Sequence, residues 1–420
     1  ELGYGAGLDL SLPLELAGRA ATLALGGAAD FKDRDSFARR FRFLPVGHMS
    51  EEVAAREPDD LFTEETIGPD GFEVREATFP GDNYDATQEI LAGYAMLEAR
   101  LLESLRLEAG ARVERTRQEV APLERFTSST IPLENAHLDD TDVLPGVNLT
   151  WEATGSMNLR LGLSRTLARP QFRELAPFQF TDYAGGFLTI GNPALERSRI
   201  ENYDARWEWF PTPTGLLAVS AFYKRFEDPI EAVVLSSTEL MQTWVNAASA
   251  TNHGLELELR TSLGALGDAF EAVGVNANVT LVESEVTTGD SVTVFLPFGA
   301  GVRELALGDT RRALQGQSPW MVNLGLTWDG ASGTRFSALY NHIGRRIDSV
   351  SGARLPDIYE DDRGVLDLVL EQAFGNGISA KLTAKRLLGA DVVFTQGGDV
   401  VRQYDTGRVV SLSVSWDMGG

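Results

Sequence analysis

Histidine is the first residue type to examine for metal or acid–base chemistry. His48, His137, His253 and His342 are scattered, with no HExxH or similar ligand spacing. The chain has no cysteine, so it offers no thiolate nucleophile, zinc knuckle or disulfide framework. No GxSxG nucleophile elbow and no GxxxxGKS/T phosphate cradle occurs. Asp139-Asp140-Thr141-Asp142 gathers carboxylates that could hold calcium. It lacks the DxDxDG order and the distal Glu, so it reads as a solvated charge run. Binding is better provided for than catalysis. Phe178, Phe180, Tyr183 and Phe187 cluster near Gly185-Gly186 on one irregular stretch, and aromatics gathered on a loop are candidates for a ligand platform. The expectation is a protein with no catalytic residue, no metal ligand and no cofactor.

Size and charge narrow the partners. The net charge of −24 over 420 residues excludes a nucleic-acid binder, because neutralising phosphates needs a basic surface. Hydrophobic residues make up 43%, yet no run approaches the ~20 apolar residues of a membrane helix. That excludes helical membrane spans and leaves a membrane β-barrel open, since barrel strands carry only a weak alternating signal.

The elements that position these residues follow a period of two. Met157, Leu159, Leu161 and Leu163 alternate with Asn158, Arg160, Gly162 and Ser164. After the aromatic loop, Tyr203, Ala205, Trp207 and Trp209 alternate with polar residues. A turn over Pro211-Thr212-Pro213-Thr214-Gly215 then leads into Leu217, Val219, Ala221 and Tyr223. Such alternation puts apolar side chains on one face of a strand and polar ones on the other. The same reading along the chain gives fifteen strands, from Leu8–Leu14 to Val410–Trp416. In the third, Ile90, Ala92, Tyr94 and Met96 are expected to share a face with Leu105, Leu107, Ala109, Ala111 and Val113 of the fourth. Connections alternate between a few turn residues, as near Thr154, Thr214, Ser332 and Asn376, and long loops. The longest, Val46 to Asp85, holds twelve acidic residues against two arginines and reads as an acidic surface loop. Trp151, Trp209, Trp328 and Phe374 each sit on the apolar parity just before a short turn, and Trp416 ends the last strand with the same parity. On a closed sheet these five form an aromatic girdle at one membrane interface.

This pattern predicts an all-β, transmembrane antiparallel meander β-barrel, with apolar residues such as Leu159, Trp207, Val219, Leu257 and Leu324 facing lipid. The polar alternates would line the interior: Arg160, Arg206, Glu208, Lys224, Glu256, Glu258, Arg260, Asn323, Asp367, Lys381 and Lys385. Their mixed signs suit cross-strand pairing that stiffens a wall.

Four short stretches add a resemblance. Arg165-Thr166-Leu167-Ala168-Arg169-Pro170, Gly191-Asn192-Pro193, Asn202-Tyr203-Asp204 and Ala221-Phe222-Tyr223-Lys224, in this order and spacing, resemble the barrel of TonB-dependent outer-membrane receptors. The resemblance implies a plugged 22-strand barrel, of which residues 1–420 are the C-terminal part, with the plug domain and the first strands absent. An open fifteen-strand sheet agrees with that reading. Its two edges would leave roughly ten unpaired backbone groups each in lipid, at several kcal/mol per group. The resemblance further implies a small-molecule ligand, a scarce nutrient such as an iron chelate, a vitamin or an oligosaccharide. Its partners would be outer-membrane lipid and TonB, the latter reached through the absent N-terminal region. The acidic stretch from Glu51 to Glu76 could alternatively bridge cations to lipopolysaccharide or capture a cationic ligand. Two other readings stay open, a passive porin-like channel and a soluble secreted all-β protein. Members of the family end on an aromatic residue, whereas Asp417-Met418-Gly419-Gly420 follow Trp416 here.

Overall fold

The computed structural model describes residues 1–47, 50–69, 71–78, 81–123, 134–181, 186–236, 241–289, 291–296, 301–305, 311–330, 332–352, 355–375 and 377–417. Fifteen strands run in sequence order through one antiparallel meander. They are β1 (Leu2–Leu16), β2 (Arg19–Ser36), β3 (Tyr84–Leu102), β4 (Leu105–Pro122), β5 (Ala136–Thr154), β6 (Met157–Ala168), β7 (Ser198–Trp209), β8 (Leu216–Glu227), β9 (Ser249–Ser262), β10 (Val273–Thr287), β11 (Trp320–Asp329), β12 (Thr334–Ile343), β13 (Arg363–Gly375), β14 (Ile378–Lys385) and β15 (Val409–Trp416). They match the fifteen predicted strands one for one.

Every odd-to-even connection is short and every even-to-odd one is long. Antiparallel order therefore places the turns near Thr154, Thr214 and Ser332 at one end and residues 37–83 at the other. Asn376 lies outside the described residues, but Gly375 and Ile378 still pair across its turn. The β1–β2 turn shows the local chemistry. Ala17 and Gly18 both have positive φ, 50° and 76°, as a two-residue hairpin with the right-handed strand twist requires.

The sheet is inside out relative to a soluble domain. Leu255, Leu257 and Leu259 of β9 are exposed, Leu257 at 45%, and so are Leu161, Leu163, Leu324 and Leu326. Polar alternates such as Arg160, Glu256 and Glu258 are half-buried, and Glu208 of β7 is covered to 8% exposure. Trp151, Trp209, Trp328, Phe374 and Trp416 all lie exposed on the apolar face. Toward the other end of that face, Tyr4 stacks on Phe31 with centroids 5.2 Å apart, and Tyr203 lies 6.0 Å from Tyr223. Two aromatic girdles thus bracket an aliphatic band.

Three expectations need correction. Register puts Leu91, Gly93, Ala95 and Leu97 of β3 opposite Leu25, Ala29 and their neighbours on the outer face. Ile90, Ala92, Tyr94 and Met96 therefore face inward, and Tyr94 Oη donates to Asp9 Oδ1 at 2.7 Å. Strands β3 to β5 also run much longer than their apolar runs, because polar residues extend a ladder beyond the membrane where both faces are wet. Finally, the acidic connection contains a hairpin, Phe41–Pro45 with Phe72–Glu76, closed over a Phe43–Phe62–Phe72 aromatic cluster.

The long connections make a second sheet. Eight short strands run in the order 399–404, 392–396, 358–360, 346–351, 230–236, 241–246, 188–190 and 179–180. They come from four different connections, and two junctions are parallel, 188–190 with 241–246 and 230–236 with 346–351. The dry cores lie mainly at this loop end, for example Val233, Val245, Val292, Val294, Ile347 and Val350.

Candidate ligand-receiving site at the loop end

The connection after β6, residues 169–197, is fastened to the inner wall at both ends. Arg169 donates to Thr116 Oγ1 (3.0 Å) and Glu114 Oε2 (2.5 Å) on β4, and Gln118 Nε2 donates to the Pro170 carbonyl at 2.8 Å. At the far end Arg197 forks onto the Asp142 carboxylate of β5 at 2.7 and 2.8 Å, with Asp140 beside it. Guanidinium hydrogen bonds onto buried carboxylates, forked at Asp142, are the geometry in which such pairs hold strongly. Asp139 of the same run points to the outer face, where Arg115 and Arg117 neutralise it. The run is therefore part of a strand, with its carboxylates divided between two faces.

Between these anchors a one-turn helix, Phe172–Leu175, carries a capping box between Gln171 and Glu174. Burial pushes the Glu174 carboxyl up from its ordinary pKa. Phe172 and Leu175 seal a core with Tyr84, Ala86, Val120 and Ala136 of the inner wall. The Gly-Asn-Pro stretch then knits three connections together. A Cβ on Gly191 would sit 1.9 Å from the Ala176 carbonyl oxygen, so only glycine fits that approach. Buried Asn192 donates from Nδ2 to the carbonyls of Trp244 (2.9 Å) and Thr293 (2.8 Å), and its Oδ1 accepts from the Ala194 amide.

Two of the four aromatic candidates come together. Phe178 and Phe180 stack at 5.9 Å, Phe180 continues onto Trp244 at 6.0 Å, and Phe178 meets Tyr84 at 6.2 Å. The Arg173 guanidinium lies 3.3 Å from the Phe180 ring centroid. Phe187 goes elsewhere, packing against Val234, Ile358, Val392 and Phe394. Tyr183 lies outside the described residues. Phe178 and Phe180 are largely covered by the core they join, so the stack positions its surroundings more than it offers a free face.

Sequence reasoning missed the opening beside it. A cleft of about 440 Å³ lies between the inner wall and this connection, lined by Glu1, Lys32, Arg34, Gln88, Gln118, Arg169 and Gln171 among others, with Arg34 paired to Glu1. Cations and amide donors together suit an oxygen-rich, anionic guest. The signal available was the inward parity of Lys32 and Arg34 on β2, but the loop side of the cleft had none.

Deeper in, the polar alternates form the expected mixed-sign ladder. Arg160 and Arg206 both bind Glu208 at 2.9 Å, Arg206 also reaches Glu258 at 2.7 Å, and Lys224 donates to Asn202 at 2.8 Å. Lys381 pairs with Glu371 at 2.8 Å.

A model of the TonB-dependent receptor-like β-barrel family matches residues 5–385. Among solved structures, the siderophore receptor PiuA from Acinetobacter baumannii superposes with a TM-score of 0.67 at 12% identity, over 99% of this chain and 55% of that one. The ferric-catecholate import receptor Fiu from K12 E. coli gives 0.63 at 12%, over 98% and 54%. The ferric enterobactin receptor PfeA from Pseudomonas aeruginosa, as its Q482A mutant with enterobactin, gives 0.60 at 15%, again over 98% and 54%. The chain thus spans about half the length of these receptors, and at such identities the likeness speaks for the fold alone. No curated protein matches it. A strict fifteen-strand meander, apolar outside and polar inside, together with a family match over most of its length, shows that this chain belongs to the TonB-dependent receptor β-barrel family.

Proposed function

We propose that this chain is the C-terminal fifteen-strand part of a 22-strand outer-membrane receptor barrel that takes up an iron chelate with energy from TonB. The observation that carries the reading is the inside-out sheet whose loop end is organised around a cation- and amide-lined cleft. A ferric chelate presents oxygen-rich, usually anionic surface, which the Lys32 ammonium suits, together with the N–H donors that Arg34 and Arg169 keep beyond those on Glu1 and Glu114. The solved relatives named as siderophore or ferric-chelate receptors support an iron chelate over a vitamin or an oligosaccharide. Strands β1 and β15 are the two edges of the sheet. Upstream strands that close them would satisfy backbone groups that lipid cannot. TonB would be reached through a plug outside residues 1–420, and the polar ladder would face that plug. The chain's own part is reception and passage, with no chemical step.

The test uses the whole gene in a strain lacking its outer-membrane iron receptors, with uptake of radiolabelled ferric chelates measured with and without TonB. Uptake of one chelate class that disappears without TonB is expected. Uptake that survives the loss of TonB would make the protein a passive channel, and turnover of a chelate by the purified protein would make it an enzyme.

A further inference from the structure

The eight-stranded sheet at the loop end is assembled in the order of the barrel beneath it. From Gln179–Phe180 across to Asp399–Tyr404, its strands come from the connection after β6, then those after β8, β12 and β14. The connection after β10 supplies a separate hairpin, Val292–Leu296 with Gly301–Leu305, whose Val292 and Val294 pack with Val233, Val245 and Val350 without entering the ladder. A step across this sheet is therefore a step around the rim.

Its two ends differ. Gln179–Phe180 is two residues long and buried, so the sheet is finished there. Asp399–Tyr404 is six residues long and mostly exposed, with Val400, Val401 and Tyr404 each about half exposed. Among the described residues it pairs on one side only, with Val392–Gln396. An antiparallel edge turns the N–H and C=O of about every second residue outward. Exposed edges are normally guarded by lysine or proline, and this one has neither. Its one guard is a bulge that skips Val401 and leaves Arg402 to Tyr404 in regular register. The edge is also held rigid. The Arg402 guanidinium lies 3.4 Å from the Phe394 ring centroid, Tyr404 stacks on Phe394 at 6.3 Å, and Gln403 Nε2 donates to Asp391 Oδ2 at 2.6 Å. A fixed edge with apolar side chains and outward backbone groups is prepared to receive a strand.

We propose that this edge is completed by an extended segment of the same polypeptide, supplied by the first long connection of the strands upstream of Glu1. The inference rests on the reading that upstream strands close the barrel. In the closed ring the first of them lies beside β15. Because β15 runs from the loop end to the turn end, its antiparallel neighbour runs up to the loop end. The connection that follows emerges next to residues 386–408, which is the next step around the rim. Main-chain hydrogen bonds would hold the added strand, and its alternate side chains would cover Val400 and Tyr404. A tethered segment meets the edge at an effective concentration that a second receptor does not match.

The experiment uses the full-length receptor in lipid vesicles, with hydrogen exchange resolved to single amides and a photo-crosslinking p-benzoylphenylalanine in place of Tyr404. Nearly all amides of 399–404 should exchange slowly, where an open edge protects only about half. The crosslink should join residue 404 to a peptide upstream of Glu1 in the same chain. Replacing the first upstream connection with a short Gly-Ser turn should then quicken about half of these amides at least tenfold. Rapid exchange of every second amide in the wild type would overturn the proposal, as would a crosslink to a second copy or to residues 1–420. Unchanged exchange after the loop replacement would overturn it too. The amides of Val409–Trp416 separate this failure from that of the barrel reading. Rapid exchange there means that no upstream strand closes the sheet and removes that reading, while slow exchange there beside an open 399–404 edge removes only this inference.

Discussion

Leu257 and Glu256 are neighbours on β9 whose side chains leave the sheet on opposite faces, so they test its polarity at one place. Leu257 lies opposite Val219 and Val279 on the outer face. Along β8 the apolar band runs from Leu217, opposite Trp209, to Tyr223, opposite Tyr203. Six residues at ~3.3 Å each, tilted by about 40°, give roughly 15 Å of depth between those two aromatic rows. Leu257, level with Val219, sits within about one residue of their midpoint. An arginine near the midplane of a barrel's lipid face costs about 2–4 kcal/mol. At 1.4 kcal/mol per decade this is a roughly 30- to 700-fold fall in the folding equilibrium constant. Glu256 stands opposite Ser220 and Thr280 on the wet inner face, where an amide replaces a carboxylate at under about 0.5 kcal/mol. Urea titrations of the intact gene product folding into lipid vesicles, read by heat-modifiable gel mobility, should therefore separate Leu257→Arg from Glu256→Gln by at least about 1.5 kcal/mol. Equal losses, or the larger loss at Glu256, would refute the assignment of faces.

Asn192→Ala removes the donor for two carbonyls and the acceptor of one amide at a buried position. It should cost about 2–3 kcal/mol, felt locally. Limited proteolysis should cut the loop-end sheet early while the strands in lipid stay resistant, and uniform digestion would contradict a local role. The Arg39 guanidinium beside Glu76 holds that carboxyl at about 2, with Thr78 also donating to it. A depressed carboxylate adds stability that is complete above its unfolded value, here 4.5, and fades as the pH falls toward 2. Hydrogen exchange in the Phe41–Pro45/Phe72–Glu76 hairpin should thus be flat from pH 7 to about 5 after correction for intrinsic rates, then quicken on further acidification in the wild type but not in Glu76→Gln. Quickening already above pH 5, or an identical profile in the variant, would contradict the pairing.

Strand number, order and loop asymmetry were legible because alternation survives wherever one face meets lipid and the other meets water. Strand β3 shows where that fails. Ile90 to Leu97 is apolar or small on both parities, so period alone cannot choose a face. The choice falls to register with β2 and β4 and to the Tyr94–Asp9 hydrogen bond, which are tertiary facts. The second sheet was illegible for the same reason. Ile230–Ser236 and Leu188–Ile190 are short, and each has one neighbour in another connection, paired parallel. Of the candidate platform, sequence proximity brought Phe178 and Phe180 together. Phe187 was captured by a core built from residues far along the chain. Asn192 stood out as part of a motif, yet its role depends on two carbonyls that only folding brings to it.

The two polarities meet along one seam, which explains why the motif residues lie where they do. Below it the sheet is wet inside and greasy outside, and above it the connections bury apolar cores as a soluble domain does. A connection crossing from the wall into that domain must leave the inner face without stranding charge. Arg169 and Arg197 solve this by ending on Glu114 and Asp142, which are themselves almost fully covered. Removing either arginine would take from a covered carboxylate one of its two guanidinium partners, leaving Arg112 on Glu114 or Arg199 on Asp142, a larger loss than that of an exposed pair. The ion pairs therefore fix where the connection starts and stops, the Phe172 and Leu175 core fixes which side faces the wall, and Asn192 fixes what stacks above it. The cleft lined by Lys32, Arg34 and Gln118 is the space this fastening leaves open, so its shape is set by the wall and the ends of the connection together.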